Sequence, residues 1–407
     1  MDAVTWLTQK TQKKSTFYLL VFLATFPVVS HILGRIVKQK WWLNDFDAVI
    51  CGADYLRRGL SPYDYKPFCE GLQAPPYVYA PQVAEFFVPI INTLGLIGTK
   101  TAYTILLVPL MLTILWYALV KSFPEIPFRL RIIGYAVLSG SALSCGNIIL
   151  PFHALLILLA LRLEKTRWLF LLTVLIGSLI KPVLLTYLIV FVYEKVPLLR
   201  RAGLALLGAV VGIAGYLIMV ETAGPLKDTW QAALTSVVML EQPGYGFFGW
   251  VDWIGITPQT PGSMAMFGVY MVVMAAAGFV LAEALDLNQD QRVLLALGVA
   301  MMLNPRLMAY DMLYMPTMMA MLVVVTGTTL PRSVFVPISW VFVGTAAGGF
   351  ILANAQTGLK PAPVAVLVYA LMVFALACAA LWKHRSVLQG WLRQPLPLIR
   401  DVFSQKL

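Results

Sequence analysis

The chain has 407 residues, 60% of them hydrophobic and 12% charged, and 30 basic against 19 acidic side chains give a formal net charge of +11. A mean hydropathy of +0.80 excludes a soluble globular domain, which is roughly half apolar and about a quarter charged, and indicates an all-α polytopic membrane protein. The basic residues sit in short clusters at segment ends, such as Lys10/Lys13/Lys14, Arg129/Arg131, Arg162/Lys165/Arg167, Lys195/Arg200/Arg201 and Lys383/Arg385. That is the distribution of topology determinants on cytoplasmic loops, not of a nucleic-acid-binding patch.

The first apolar run, 16–37, follows Lys10, Lys13 and Lys14 and lacks a small-residue cleavage site. It reads as a retained first helix with a cytoplasmic N-terminus. Next comes a polar loop, 38–81, whose acids Asp45, Asp47, Asp54, Asp64 and Glu70 lie directly against two apolar segments. Polar groups are costly beside hydrocarbon and do not accumulate there without a use. Within this loop Phe46, Val49, Ile50, Ala53 and Leu56 recur at helical spacing, which predicts an interfacial amphipathic helix over 45–58, ended by Gly59 and a Ser61-Pro62-Tyr63-Asp64 turn. Asp45 opens that helix, either as its N-cap or as a free carboxylate able to act as a base. Asp47 points elsewhere around the helix, and Asp54 and Asp64 are expected to be solvated. Cys51 and Cys69 share the loop, so a disulfide is open to them in an oxidising compartment. Cys145 and Cys378 complete the cysteines, with no metal spacing.

Beyond the loop, apolar segments fall at 82–98, 101–120, 132–146, 148–162, 168–180, 183–196, 200–221, 263–285, 293–304, 311–327, 333–353 and 362–382. With 16–37 these make thirteen, but basic clusters at both ends require an even number of crossings. The conflict disappears if 82–98, which follows Pro81 and contains Pro89, is re-entrant or interfacial. About twelve transmembrane helices then form a single domain over 1–407, with external loops at 38–81 and 223–262 and a basic cytoplasmic tail at 383–407.

Segments 168–180 and 183–196 would be helices only ~20 Å long at ~1.5 Å per residue, against ~30 Å of hydrocarbon. Their connecting tip at Lys181-Pro182, and the tip at Gly146-Asn147, should lie below the membrane surface. Non-helical backbone at such depth is tolerated only where it is enclosed by protein or lines a water-filled cavity. Lys181 there is either an anion contact or a snorkelling lysine. Arg306, in Asn304-Pro305-Arg306-Leu307-Met308-Ala309-Tyr310-Asp311, either holds phosphate oxygens or pairs with Asp311. Trp41/Trp42, Trp250/Trp253 and Tyr77/Tyr79 could stack on sugar faces or belong to an interfacial aromatic belt. Residues 226–240 read as a second interfacial helix that roofs the cavity. His31, His153 and His384 are scattered, and no zinc motif, nucleophile elbow or phosphate loop occurs.

The order of these pieces resembles glycosyltransferase family 87, within the GT-C superfamily of polyprenyl-phosphate-sugar-dependent transferases. Asp45-Phe46 and Gly59-Leu60-Ser61-Pro62-Tyr63 look like that family's loop-opening aspartate and Gly-x-x-Pro-Tyr turn. Tyr79-Ala80-Pro81, Gly146-Asn147, Ile180-Lys181-Pro182 and the tip from Asn304 to Asp311 follow in order over about three quarters of the chain. Ala80 stands where a proline is usual, Asn147 where glutamine is commoner, and the Arg306 tip departs from the common form. The resemblance implies a GT-C transmembrane bundle without a cofactor or metal. It would move one sugar, mannose or another hexose or pentose, from a polyprenyl-phosphate donor to a lipid- or glycan-linked acceptor on the periplasmic side of a bacterial inner membrane. Asp45 would be the general base and Lys181 and Arg306 the phosphate contacts. Asp47, Tyr63, Tyr79, Asn147, Tyr310, Asp311 and Trp253 are further substrate-binding candidates. Two other classes fit the composition: a secondary transporter or lipid-linked-sugar flippase, and an O-antigen-ligase- or polymerase-like enzyme.

Overall fold

Apolar runs in lipid become helices because every backbone N–H and C=O must find its partner within the segment. A computed structural model describes residues 1–37, 43–121, 125–138, 144–241, 243–258, 260–355 and 360–385, and among these there is no strand. Trp41, Trp42 and the tail basic residues Arg393, Arg400 and Lys406 lie outside the described residues. The helices are α1 (Ala3–Lys10), α2 (Lys14–Val37), α3 (Asn44–Arg57), α4 (Pro81–Trp116), α5 (Phe128–Ile133), α6 (Leu150–Ala160), α7 (Leu163–Ile180) and α8 (Ile189–Tyr193). They continue with α9 (Leu198–Thr222), α10 (Lys227–Ala233), α11 (Phe247–Trp253), α12 (Pro261–Ala284), α13 (Gln289–Met302), α14 (Met315–Thr329), α15 (Arg332–Asn354) and α16 (Pro361–Lys383).

Seven of the described helical stretches are long and apolar enough to cross a bilayer: Lys14–Arg35, Pro81–Lys121, Leu198–Thr222, Pro261–Ala284, Tyr310–Thr329, Arg332–Ala353 and Pro361–Lys383. The protein is therefore an all-helical polytopic membrane protein. The remaining expected crossings take other forms. Segment 132–146 is not one helix within the described residues: α5 passes into a 3-10 turn at Gly134–Val137, and the chain turns extended at Leu138. Segment 148–162 shrinks to the 11 residues of α6. Segment 183–196 divides into a 3-10 helix, Pro182–Leu188, and the five-residue α8. These short pieces lie inside the bundle, where neighbouring helices can meet the backbone groups that lipid cannot.

The bundle centres on α13 and α14. Every residue of α13 from Arg292 to Met302 is buried, and so is α14 from Met315 to Val323. By contrast, α9 keeps Leu206, Val210, Ile213, Leu217 and Ile218 exposed, a continuous apolar face suited to lipid. The sequence missed α1, a short amphipathic helix that buries Ala3 and Leu7 and sets Trp6 against Trp340 of α15 in a tilted ring contact at 5.4 Å.

Helix α4 is two helices joined at a sharp bend. The break falls at Gly95, whose φ of 69° is left-handed, and not at Pro89, which continues the helix. A proline removes one hydrogen bond, which a membrane helix accommodates; a left-handed residue reverses the chain. Helix α3 packs on both sides of this bend, with Phe46 edge-on to Phe87 at 5.6 Å and stacked on Tyr103 at 3.8 Å.

Candidate functional site

The expected interfacial helix forms as α3, and its first turn is held by backbone. Leu43 N–H donates to Ser144 C=O at 2.9 Å and Asp45 N–H to Cys145 C=O at 2.9 Å. Leu43 itself is left-handed, with φ 61°, and is the N-cap residue, making no side-chain cap. Asp45 is thus not the cap; its carboxylate is left for other partners. The fit at this junction requires a glycine across from it: Gly146 has φ 65°, and a Cβ there would lie 2.5 Å from Leu43 Cβ and 2.7 Å from its Cα.

Next to Gly146, Asn147 gathers the site. Its Nδ2 donates to Asp45 Oδ2 at 3.0 Å and to the Tyr310 hydroxyl at 3.2 Å. Its Oδ1 accepts from the Tyr79 hydroxyl at 3.2 Å and from Ile149 N–H at 3.2 Å. The Tyr103 hydroxyl donates to its carbonyl at 2.7 Å. Tyr63 stands one step back, donating to Tyr79 C=O at 2.9 Å.

A cavity of about 400 Å³ opens beside this network, and its lining includes Asp45, Tyr79, Asn147, Lys181, Arg306 and Tyr310. Three separate tips therefore converge: the start of α3, the turn after α7 and the connection between α13 and α14. Its apolar lining includes Tyr216, Trp230, Leu234, Val237 and Val238. It comes from α9, α10 and the π-helical turn Leu234–Glu241, so the segment expected to roof the cavity does line it. Trp230 Nε1 ties that wall to Val78 C=O at 3.2 Å. Tyr245 N–H donates to Leu307 C=O at 2.6 Å. Gly244 makes that approach feasible, since a Cβ there would lie 2.8 Å from Leu307 O and 2.9 Å from the Arg306 carbonyl carbon.

Arg306 does not pair with Asp311 as one reading of the sequence had it; the partner of Asp311 is Lys181. Lys181 Nζ lies 3.5 Å from both Asp311 oxygens and 4.9 Å from the Tyr310 ring centroid. Asp311 is buried, and also accepts from His153 Nε2 at 2.8 Å, Asn304 Nδ2 at 2.9 Å and Met308 N–H at 2.9 Å. With its oxygens so occupied, Asp311 stands outside the cavity lining and anchors Lys181. His153, whose Nδ1 meets the Tyr187 hydroxyl at 2.7 Å, carried no sequence signal: it sits alone in an apolar run.

Other candidates fall elsewhere. Asp47 is buried, 2.7 Å from Lys100 Nζ, and accepts from Gln73 N–H at 3.1 Å. It locks α3 to α4 and to the loop, outside the cavity. Asp54, expected to be solvated, is buried and pairs with Arg57 and Arg58 at 2.5 and 3.0 Å, while Asp64 is exposed. Trp253 is 47% exposed and does not line the cavity; the aromatic wall is Tyr216, Trp230 and Tyr245. Cys51 and Cys69 are disulfide-bonded, which fastens α3 to the loop behind it.

The electrostatics favour a proton acceptor at Asp45. Burial pushes its carboxyl above the ordinary aspartate range, and the Asn147 hydrogen bond and the charges of Arg306, Lys181 and Arg35 oppose that rise without cancelling it. Arg35, at the end of α2, reaches Asn44 Oδ1 at 3.4 Å and was not anticipated from the sequence. Burial also raises Asp47, against the hydrogen bonds from Lys100 and Gln73. Among the described residues no cluster of histidine, cysteine and acidic side chains could hold a metal ion. No family model, no curated protein and no solved structure matches the chain.

Proposed function

We propose that the protein is an inverting glycosyltransferase of the GT-C type, moving one sugar from a polyprenyl-phosphate donor to a lipid- or glycan-linked acceptor hydroxyl. The observation that carries this reading is one cavity lined by a carboxylate, a lysine and an arginine together with apolar and aromatic side chains. The acceptor hydroxyl would give its proton to Asp45 as its oxygen bonds the anomeric carbon. The bond from that carbon to the phosphate oxygen breaks, and its electron pair leaves with the polyprenyl phosphate, whose charge Lys181 and Arg306 stabilise. A single displacement of this kind inverts the anomeric centre. The apolar wall would receive the first isoprene units while the rest of the chain stays in lipid.

The disulfide in the first loop fits an oxidising compartment, and Lys10, Lys13, Lys14 and Arg332 cluster at the opposite ends of their helices, as cytoplasmic anchors do. The cavity would then face the periplasm, with about twelve crossings once the short buried segments are included.

The test is transfer by the purified protein from radiolabelled polyprenyl-phosphate sugars, mannose first, to envelope glycolipids. Wild type should transfer and Asp45→Asn should lose at least about a hundredfold, on the scale of a missing general base. Movement of donor across vesicles without transfer would replace this reading by a flippase. A folded Asp45→Asn with full activity would remove Asp45 as base.

A further inference from the structure

The side-chain amide of Asn147 cannot be flipped. Its Oδ1 meets Ile149 N–H at 3.2 Å, and a backbone N–H only donates, so Oδ1 must be the acceptor there. Nδ2 therefore faces Asp45 Oδ2 at 3.0 Å and the Tyr310 oxygen at 3.2 Å. An amide nitrogen has no acceptor to offer, so both partners are forced into the acceptor role. For Asp45 this commits one oxygen, and among the described residues no hydrogen bond reaches the other. For Tyr310 it means that the hydroxyl hydrogen points away from Asn147. No protein acceptor among the described residues takes it, and Tyr310 lines the cavity. The whole amide is clamped, because Tyr79 and Tyr103 hold its oxygen and its backbone carbonyl, and it is 5% exposed.

We propose that Asn147 is a positioning residue that assigns the proton roles at this site, keeping Asp45 Oδ1 open for the acceptor hydroxyl and making Tyr310 a hydrogen-bond donor to the transferred sugar. The proposal rests on the transferase reading. Tyr310 stands where such a donor is useful: its ring lies under Lys181 Nζ at 4.9 Å while its hydroxyl is on the Asp45 side. The anomeric carbon must lie between the base and the phosphate, so the Tyr310 hydroxyl meets an oxygen of the sugar, and Tyr310 is a catalytic residue in that sense. That oxygen is the one bridging the anomeric carbon and phosphorus, which gains negative charge as its bond to the carbon breaks, so the bond from Tyr310 strengthens in the transition state. The side-chain oxygen and nitrogen of Asn147, by contrast, are already engaged by protein partners.

Among the described residues, the charged and titratable groups around Asp45 are Arg35 from α2, Tyr79 before α4, Tyr103 within α4, Cys145, Lys181, Arg306 and Tyr310. Substitution at Asn147 leaves the charged groups in place but frees the Tyr79 and Tyr310 hydroxyls. The Asp45 titration is therefore read in Asn147→Leu against Asn147→Leu/Tyr79→Phe/Tyr310→Phe, and the shift common to both reports the amide bond. That bond stabilises the ionised carboxylate, so its loss must move protonation to higher pH.

The experiment is infrared titration of the full chain in nanodiscs, labelled with 13C-aspartate, the Asp45 band being the one missing in Asp45→Asn. Asn147→Leu should move its midpoint to higher pH and carry the acid limb of the transfer rate with it. Asn147→Gln, which keeps the amide, should restore both. Tyr310→Phe should leave the Asp45 band in place while kcat falls at least tenfold with KM for the donor changed less than threefold; this arm stands even where Asn147→Leu fails to fold. An unmoved Asp45 midpoint in folded Asn147→Leu, or Tyr310→Phe at wild-type kcat, overturns the inference while transfer persists. Absence of transfer in wild type overturns the function itself, and the inference with it.

Discussion

Replacing Gly146 by alanine should separate position from chemistry at this site. The new Cβ would sit 2.5 Å from Leu43 Cβ and Cδ2 and 2.7 Å from Leu43 Cα, where ordinary carbon contacts lie at ~3.5–4.0 Å. Leu43 must retreat by roughly 1 Å to restore that spacing. Two of these three clashes involve atoms fixed to the backbone, so a rotamer change of Leu43 cannot relieve them. Asp45 follows two residues later and moves with it, away from Asn147. A further cost of ~1–2 kcal/mol comes from holding alanine at a left-handed φ. A misplacement of about 1 Å costs on the order of a hundredfold in rate. We therefore expect kcat to fall about a hundredfold while the protein still folds with a lowered melting temperature. Transfer assays alongside thermal unfolding in the same detergent measure both. A Gly146→Ala protein with wild-type kcat would refute the argument that the backbone pairing of 43–45 with 144–145 sets the carboxylate.

Two further outcomes follow from the same loop. The Cys51–Cys69 bond closes a loop with a sequence separation of 18, worth ~3 kcal/mol by chain entropy, so reductant should lower the melting temperature and Cys51→Ser/Cys69→Ser should no longer respond to it. Asp45 and Asp47 both hold their protons more tightly folded than unfolded. Stability should therefore fall as pH rises from the ordinary aspartate value through their raised values, with the full cost present above that window. Transfer needs Asp45 ionised and should rise across its part of the window. Thermal unfolding and rate measured over one pH series should slope in opposite directions, and parallel slopes would contradict the assignment.

The sequence made the tips legible because chemistry there is local and expensive. Asp45, Lys181 and Arg306 stand out as polar groups beside hydrocarbon, and the structure brings all three to one cavity. The amphipathic period of 45–58 likewise forms the expected helix, shorter by a residue at its C-terminal end. What stayed hidden depends on partners far along the chain. Helical spacing already turned Asp47 away from Asp45, but its partner Lys100, 53 residues on, could not be read from the loop. His153 in Leu150-Pro151-Phe152-His153-Ala154 reads as an isolated polar residue, since its carboxylate lies 158 positions away. The short crossings were misjudged for a related reason: hydropathy counts apolar residues, and it cannot tell a spanning helix from the 3-10 turns of 134–137 and 182–188 enclosed by neighbours.

The separations within the Asn147 network also set a timetable for making the protein. Asp45 lies 102 residues before Asn147, and Tyr310 a further 163 beyond it. At ~5–20 residues per second of synthesis, about ten to thirty seconds separate the emergence of Asn147 from that of Tyr310. During that interval the carboxylate and its amide are in place while the lysine anchor, the arginine and the tyrosine donor are only partly made. A nascent chain halted before residue 304 would carry a half-built cavity, without Arg306 and Tyr310. Competence thus arrives late and at once, when the α13–α14 connection closes over the two tips already waiting for it.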